Sequence, residues 1–133
     1  LSKSRGERIT LEEVFEDCPP AALRFYLLSH HYREFTPYSP DGLLASCQEG
    51  ERLGVNAVDC MIIDPTDPRD DGETAPLVSR FEKALDDDLD TPKALDVLRD
   101  LDIIAGNRLE NEGNLAPISG MYSIFQCVLG IFS

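Results

Sequence analysis

Prolines stand where helices begin. Pro20, Pro40, Pro92 and Pro117 each open a stretch of helically spaced apolar residues, and a proline in the first helical turn costs nothing because its missing N–H would have no intrahelical partner there. Thr10 followed by Glu13 has the spacing of a capping box, which predicts a short helix from about Leu11 to Asp17, ended by Pro19-Pro20. The helix opening at Pro20 carries Leu23, Tyr26, Leu27 and His30 on one apolar face, with Arg24 and His31 on a neighbouring strip. Phe35-Thr36-Pro37-Tyr38 reads as a connector, and Ser39-Pro40 as N-cap and first residue of a long helix to about Cys60 or Ile63. Its apolar positions are Leu43, Leu44, Cys47, Leu53, Val55, Ala57 and Val58, while Gly50 and Gly54 weaken it by up to about 1 kcal/mol each.

Breakers and charges from Asp64 to Gly72 predict a mobile surface loop. A helix from about Ala75 to Asp87 follows. Thr91-Pro92 supplies a hydroxyl cap and first-turn proline for the next, which turns Leu95, Leu98, Leu101 and Ile104-Ala105 inward and is open to fraying or bending at Gly106-Asn107. The last helix, about Pro117 to Ile131, is largely apolar and belongs in the middle of the bundle. No segment alternates with period two between hairpin turns, so the fold class is all-α.

With 133 residues and 42% hydrophobic content the chain suits one core. No apolar run approaches the roughly 20 residues that span a bilayer, and the start has no signal-peptide pattern, so the expectation is a cytoplasmic protein without membrane contact. Cys18, Cys47, Cys60 and Cys127 lie far apart with no C-x-x-C pair, which predicts reduced, core-packed thiols and no zinc knuckle. Residues 1–33 balance five basic against five acidic side chains, whereas residues 34–133 carry seven against twenty and so the whole formal charge of −13. Such a surface repels a polyanion, which argues against a free-standing RNA-binding module and confines any RNA contact to the basic side chains of the N-terminal third.

Four stretches carry a resemblance. Leu1-Ser2-Lys3-Ser4-Arg5-Gly6 is similar to the KMSKS loop of class I aminoacyl-tRNA synthetases. After Arg8-Ile9-Thr10-Leu11, the run Pro20-Ala21-Ala22-Leu23-Arg24-Phe25-Tyr26-Leu27-Leu28-Ser29-His30-His31-Tyr32-Arg33 resembles the DALR helix of cysteinyl-tRNA synthetases, with Ala21 where that family usually has Asp. Phe81 to Leu95, with Asp86-Asp87-Asp88-Leu89-Asp90-Thr91-Pro92 at its centre, resembles a second block of the same family, and Val128-Leu129-Gly130-Ile131 its closing residues. The resemblance is weakest over residues 61–73 and 107–117. It implies a KMSKS-like loop over 1–9, a remnant of a catalytic domain, followed over 10–133 by the DALR-type helical bundle of the class I anticodon-binding kind.

By that resemblance the whole enzyme activates cysteine with ATP and Mg and charges tRNA(Cys), using a HIGH motif and a zinc site in a catalytic domain that these residues do not include. The piece alone is then inactive, and supports the ATP loop and tRNA docking. Lys3 takes the catalytic place, its ammonium meeting charge that grows on the phosphates, and Ser2 and Ser4 shape the ATP-binding loop. Glu7 departs from the family's usual Asn. Arg5, Arg24 and Arg33 are candidates for tRNA or interdomain contact, against the plainer reading of solvated side chains or intramolecular ion pairs. No metal is assigned here: His30 and His31 point about 100° apart on a helix, and the aspartate run reads as helix-end and loop hydrogen bonding, with Asp90 at the positive end of the next helix. The alternatives are a mycothiol-pathway ligase that joins cysteine to a glucosaminyl-inositol, and a stand-alone, non-catalytic synthetase-derived binding module.

Overall fold

The computed structural model describes residues 19–34 and 39–132; the short helix expected over 11–17 and the connector 35–38 lie outside them. The described residues form α1 (Pro20–Leu28), α2 (Pro40–Met61), a 3-10 turn (Pro68–Asp70), α3 (Ala75–Asp86), α4 (Thr91–Glu110) and α5 (Ala116–Leu129), with no strand among them. Each helix has a proline in its first turn.

Ser39 caps α2 as its position predicts, its hydroxyl accepting the Gly42 N–H at 3.0 Å. The helix then runs unbroken through Gly50 and Gly54. It buries Leu43, Leu53, Ala57 and Cys60. Leu44, Val55 and Val58, expected on the apolar face, stand more than half exposed, because the buried stripe follows 53, 57 and 60 and these three lie on the opposite side of the helix. The face of α1 is corrected likewise. Phe25 enters the main core while Ala22 and Tyr26 pack against Leu43, and this turns Leu27 outward to 56% exposure.

The segment from Asp64 to Gly72, expected as a mobile surface loop, lies at the surface but is pinned to the fold. Pro68 is buried, the Thr66 N–H donates to the Ala116 carbonyl at 3.1 Å, and the fully buried Thr74 hydroxyl donates to the Pro68 carbonyl at 2.6 Å. Gly120 of α5 makes this possible, since a Cβ there would sit 2.1 Å from the Thr66 carbonyl oxygen. Helix α4 is capped by Asp90, whose carboxylate accepts the Lys93 N–H. Thr91, predicted as the cap, is instead the first helical residue and donates its hydroxyl to the Leu28 carbonyl at 2.7 Å. Helix α4 continues through Gly106-Asn107 to Glu110.

Helix α5 lies centrally, as its composition predicts: Ile118, Met121, Tyr122 and Phe125 are fully buried. Phe125 meets Phe81 of α3 edge-on at 4.7 Å. Ala94, Leu95, Val97, Leu98, Leu101 and Ala105 of α4 join them in one core with Phe25, Leu53 and Ala57. Gly130 ends α5 with φ 64°, the left-handed conformation that suits glycine best at a helix C-terminus.

Candidate functional site

Two of the sequence blocks that carry the resemblance, Pro20–Arg33 and Phe81–Leu95, meet at one carboxylate. Helix α3 ends at Asp86, and Asp88 and Leu89 follow with φ 54° each, a conformation that costs a side-chain-bearing residue free energy. It lets the chain reverse while its amides stay paired, the Leu89 N–H with Leu85 and the Asp90 N–H with Ala84. It also places the Asp88 carboxylate opposite the residues that follow α1. The Tyr32 hydroxyl donates to Asp88 Oδ1 at 2.7 Å, Arg33 Nε lies 2.6 Å from Oδ2, and Arg33 Nη2 donates to Oδ1 at 3.2 Å. His31 stacks on the Tyr32 ring at 4.9 Å and brings Nε2 to 3.9 Å from Asp88. The Tyr32 hydroxyl, with Arg33 beside it, holds the Asp88 carboxyl below the usual carboxylate range.

His30 turns away from this clasp. Its Nδ1 lies 3.1 Å from the Tyr26 carbonyl oxygen and its ring meets the Tyr26 ring edge-on. The aspartate run therefore works as the sequence predicts, Asp88 in loop hydrogen bonding and Asp90 as a helix cap. No group of three or more His, Cys, Asp or Glu side chains able to hold a metal ion occurs among the described residues.

Of the candidate residues, Ser2, Lys3, Ser4 and Arg5 lie outside the described residues. Arg33 is the cation of the Asp88 clasp, with its side chain 67% exposed, so it neutralises a carboxylate and still faces solvent. Arg24 lies apart from it. Its Nη1 donates to the Gly130 carbonyl, one of the oxygens at the end of α5 for which the helix offers no partner. The structure thus brings Arg33, Tyr32 and His31 together on Asp88 and assigns Arg24 to fastening α1 to the end of α5.

Sequence reasoning misses a third cationic site. Arg108 of α4 is only 13% exposed and donates to Asp71 at 2.8 and 3.1 Å, to Glu73 at 2.7 Å and to the Asn114 carbonyl at 2.9 Å. Asp71 in turn accepts the Glu73 and Thr74 N–H groups before α3, and Arg108 pulls its pKa down. The signal in the sequence was the arginine in the last turn of α4, which favours the negative end of the helix dipole but does not name its partners.

Comparison with known proteins places this architecture. Residues 80–133 match the family described as "DALR domain", so the helices from the middle of α3 through α5 define a DALR-type helical bundle. The cysteine–tRNA ligase of Thioalkalivibrio sulfidiphilus is 33% identical over 100% of this chain and 28% of its own length. That of Pseudoalteromonas translucida is 33% identical over 92% of this chain and 27% of its own. That of Geobacter sulfurreducens is 37% identical over 100% of this chain and 30% of its own. Along its whole length the chain matches the portion of cysteine–tRNA ligases that carries the DALR domain, and it spans under a third of the length of these relatives.

Proposed function

We propose that these residues serve a ligase that activates cysteine with ATP and transfers it to tRNA(Cys) in the cytoplasm. The observation that carries this reading is the alignment of relatives named cysteine–tRNA ligase along the whole chain, from the KMSKS-like residues to the end of α5. Residues 1–9 then belong with the catalytic domain and 10–133 with the helical bundle. Lys3 is the catalytic cation and Ser2 and Ser4 complete the ATP loop; an ammonium flanked by hydroxyls is a donor set that suits a polyphosphate. ATP arrives with Mg, and zinc belongs to the catalytic domain that the relatives' greater length provides for. Arg5, Arg24 and Arg33 are the contacts offered to tRNA or to that domain. Both members of the described pair are exposed, Arg24 while it caps α5 and Arg33 while it holds Asp88. No helix among the described residues is long and apolar enough to cross a membrane.

The test is cysteine-dependent ATP–pyrophosphate exchange by the whole polypeptide. Lys3→Ala is expected to lower the exchange rate by roughly 100-fold or more, the scale of one lost transition-state donor, with an unchanged melting curve. Unchanged exchange would remove Lys3 from the reaction. Identifying the acceptor of the cysteinyl group, tRNA against a glucosaminyl-inositol, separates this ligase from the mycothiol-pathway alternative.

A further inference from the structure

Aspartate followed directly by glycine occurs at Asp41-Gly42 and again at Asp71-Gly72. Such a pair has a covalent chemistry of its own. The glycine amide nitrogen can attack the aspartate Cγ, because the glycine carries no side chain to hinder the approach. The new N–Cγ bond closes a five-membered succinimide while the Cγ–OH bond breaks, and the hydroxyl leaves as water with the amide proton. Water then opens the ring, and opening at the backbone carbonyl leaves an isoaspartyl residue whose main chain runs through the side-chain carbon. Ring closure needs a backbone free to turn the nitrogen onto Cγ and a carboxyl in its acid form, since a carboxylate offers no hydroxyl to expel.

The fold withholds these conditions differently at the two sites. Asp41 and Gly42 lie in the first turn of α2, where the Gly42 N–H donates to the Ser39 hydroxyl at 3.0 Å. There the helix itself fixes the nitrogen. Asp71 and Gly72 lie outside every helix, with Asp71 in an extended conformation at φ −115° and ψ 137°. The Gly72 N–H donates to no group among the described residues. Gly72 is exposed, and a Cβ built on it meets nothing within 4 Å. At this second site the nitrogen is unengaged and water is at hand.

Only the carboxyl is guarded there. Arg108 donates from Nη2 to Asp71 Oδ2 at 2.8 Å and from Nη1 to Oδ1 at 3.1 Å, and the Glu73 and Thr74 N–H groups donate to Oδ2 at 3.1 and 3.2 Å. These donors favour the ionised form, Arg108 most of all, and hold the Asp71 carboxyl below the usual carboxylate range. Each unit of such a shift lowers the acid form present at neutral pH about tenfold.

We propose that Asp71-Gly72 is a latent isoaspartyl-forming site and that Arg108 is the residue that keeps it closed. Isomerisation there would carry the carboxylate away from Arg108 and from the two N–H groups that precede α3. One covalent change would then untie the Asp64–Gly72 segment from α3 and from the end of α4. The inference goes beyond the ligase reading and does not depend on it.

The test is incubation of the whole polypeptide at neutral pH, with isoaspartate at each position read by peptide mass spectrometry using fragmentation that distinguishes the lengthened main chain. Arg108→Ala is expected to raise the rate at Asp71 by about tenfold or more and to leave Asp41 unchanged. Arg99→Ala removes an equally close clasp from Glu49 on the same helix and should leave both positions unchanged, which separates loss of the guanidinium from general loosening. Gly72→Ala added to Arg108→Ala should return the rate toward the native one. Where Arg108→Ala does not fold, Arg108→Lys, which keeps the cation and loses the fork, should give a smaller rise. Equal rates at Asp71 in the native chain and the Arg108 variants, a rise of the same size in Arg99→Ala, or a rise that survives Gly72→Ala would each overturn the proposal. The readout is a covalent product and not cysteine activation, so its failure and that of the proposed function are distinguishable.

Discussion

Asp88 shows how one side chain can hold two distant stretches of sequence. Its carboxyl is held down first by the Tyr32 hydroxyl and then by Arg33, so Tyr32→Phe should move the Asp88 pKa up toward the ordinary carboxylate value, read by NMR titration of its carboxyl carbon. The sign for stability follows from linkage: a carboxyl whose pKa is depressed on folding stabilises the fold above its unfolded value, and that contribution is lost as pH falls through the folded one. The acid limb of a stability–pH curve should therefore be shallower in Asp88→Asn than in the native chain. Cys60 gives a contrast in reactivity. Burial pushes its thiol up to about 11, so at pH 8 it should resist a thiol-specific reagent that modifies the exposed Cys127; equal rates would contradict the burial. The expectation of core-packed thiols holds for Cys60 and fails for Cys127, which α5 turns outward.

Among the elements, the approach of the Asp64–Gly72 segment to α5 is the most exacting contact. Gly120→Ala should cost roughly 1–3 kcal/mol in urea unfolding, since the Thr66 carbonyl must move, whereas Gly54→Ala has open space and should gain up to about 1 kcal/mol from helix propensity. Arg108→Ala leaves Asp71 and Glu73 without their cation and should cost about 1–3 kcal/mol by the same measurement. These sites also mark where sequence reasoning stops. The start of α2 was legible because Ser39-Pro40 punctuates it locally, and the inward residues of α4 because Leu95, Leu98 and Leu101 repeat with the helix. The rotation of α1 was not, since Leu23, Phe25, Tyr26 and Leu27 offer two overlapping apolar faces and only the partners, Leu43 and the main core, choose between them. The packing of Asp64–Gly72 escaped for a similar reason. Its order comes from Ala116 and Arg108, more than thirty residues away, while its composition alone predicts a loop. At the candidate site, Arg24 and Arg33 could be named from their motif, but not the Gly130 carbonyl and Asp88 that receive them.

At the scale of the molecule, a formal charge of −13 on 133 residues works against compactness through self-repulsion. Screening relieves it, so the melting temperature should rise as sodium chloride is raised from about 10 mM toward a few hundred millimolar, over which the Debye length falls below roughly 10 Å; a flat or falling response would show that the ion pairs outweigh the repulsion. The same fold has its first and last described residues on one side. Pro19 and Phe132 share the wall of a single groove, and Arg24 ties the first helix to the carbonyl that ends the last. Whatever a longer polypeptide attaches before and after this bundle must leave from that one corner. The bundle therefore does not separate its two described ends by its own length, and is not a spacer between them.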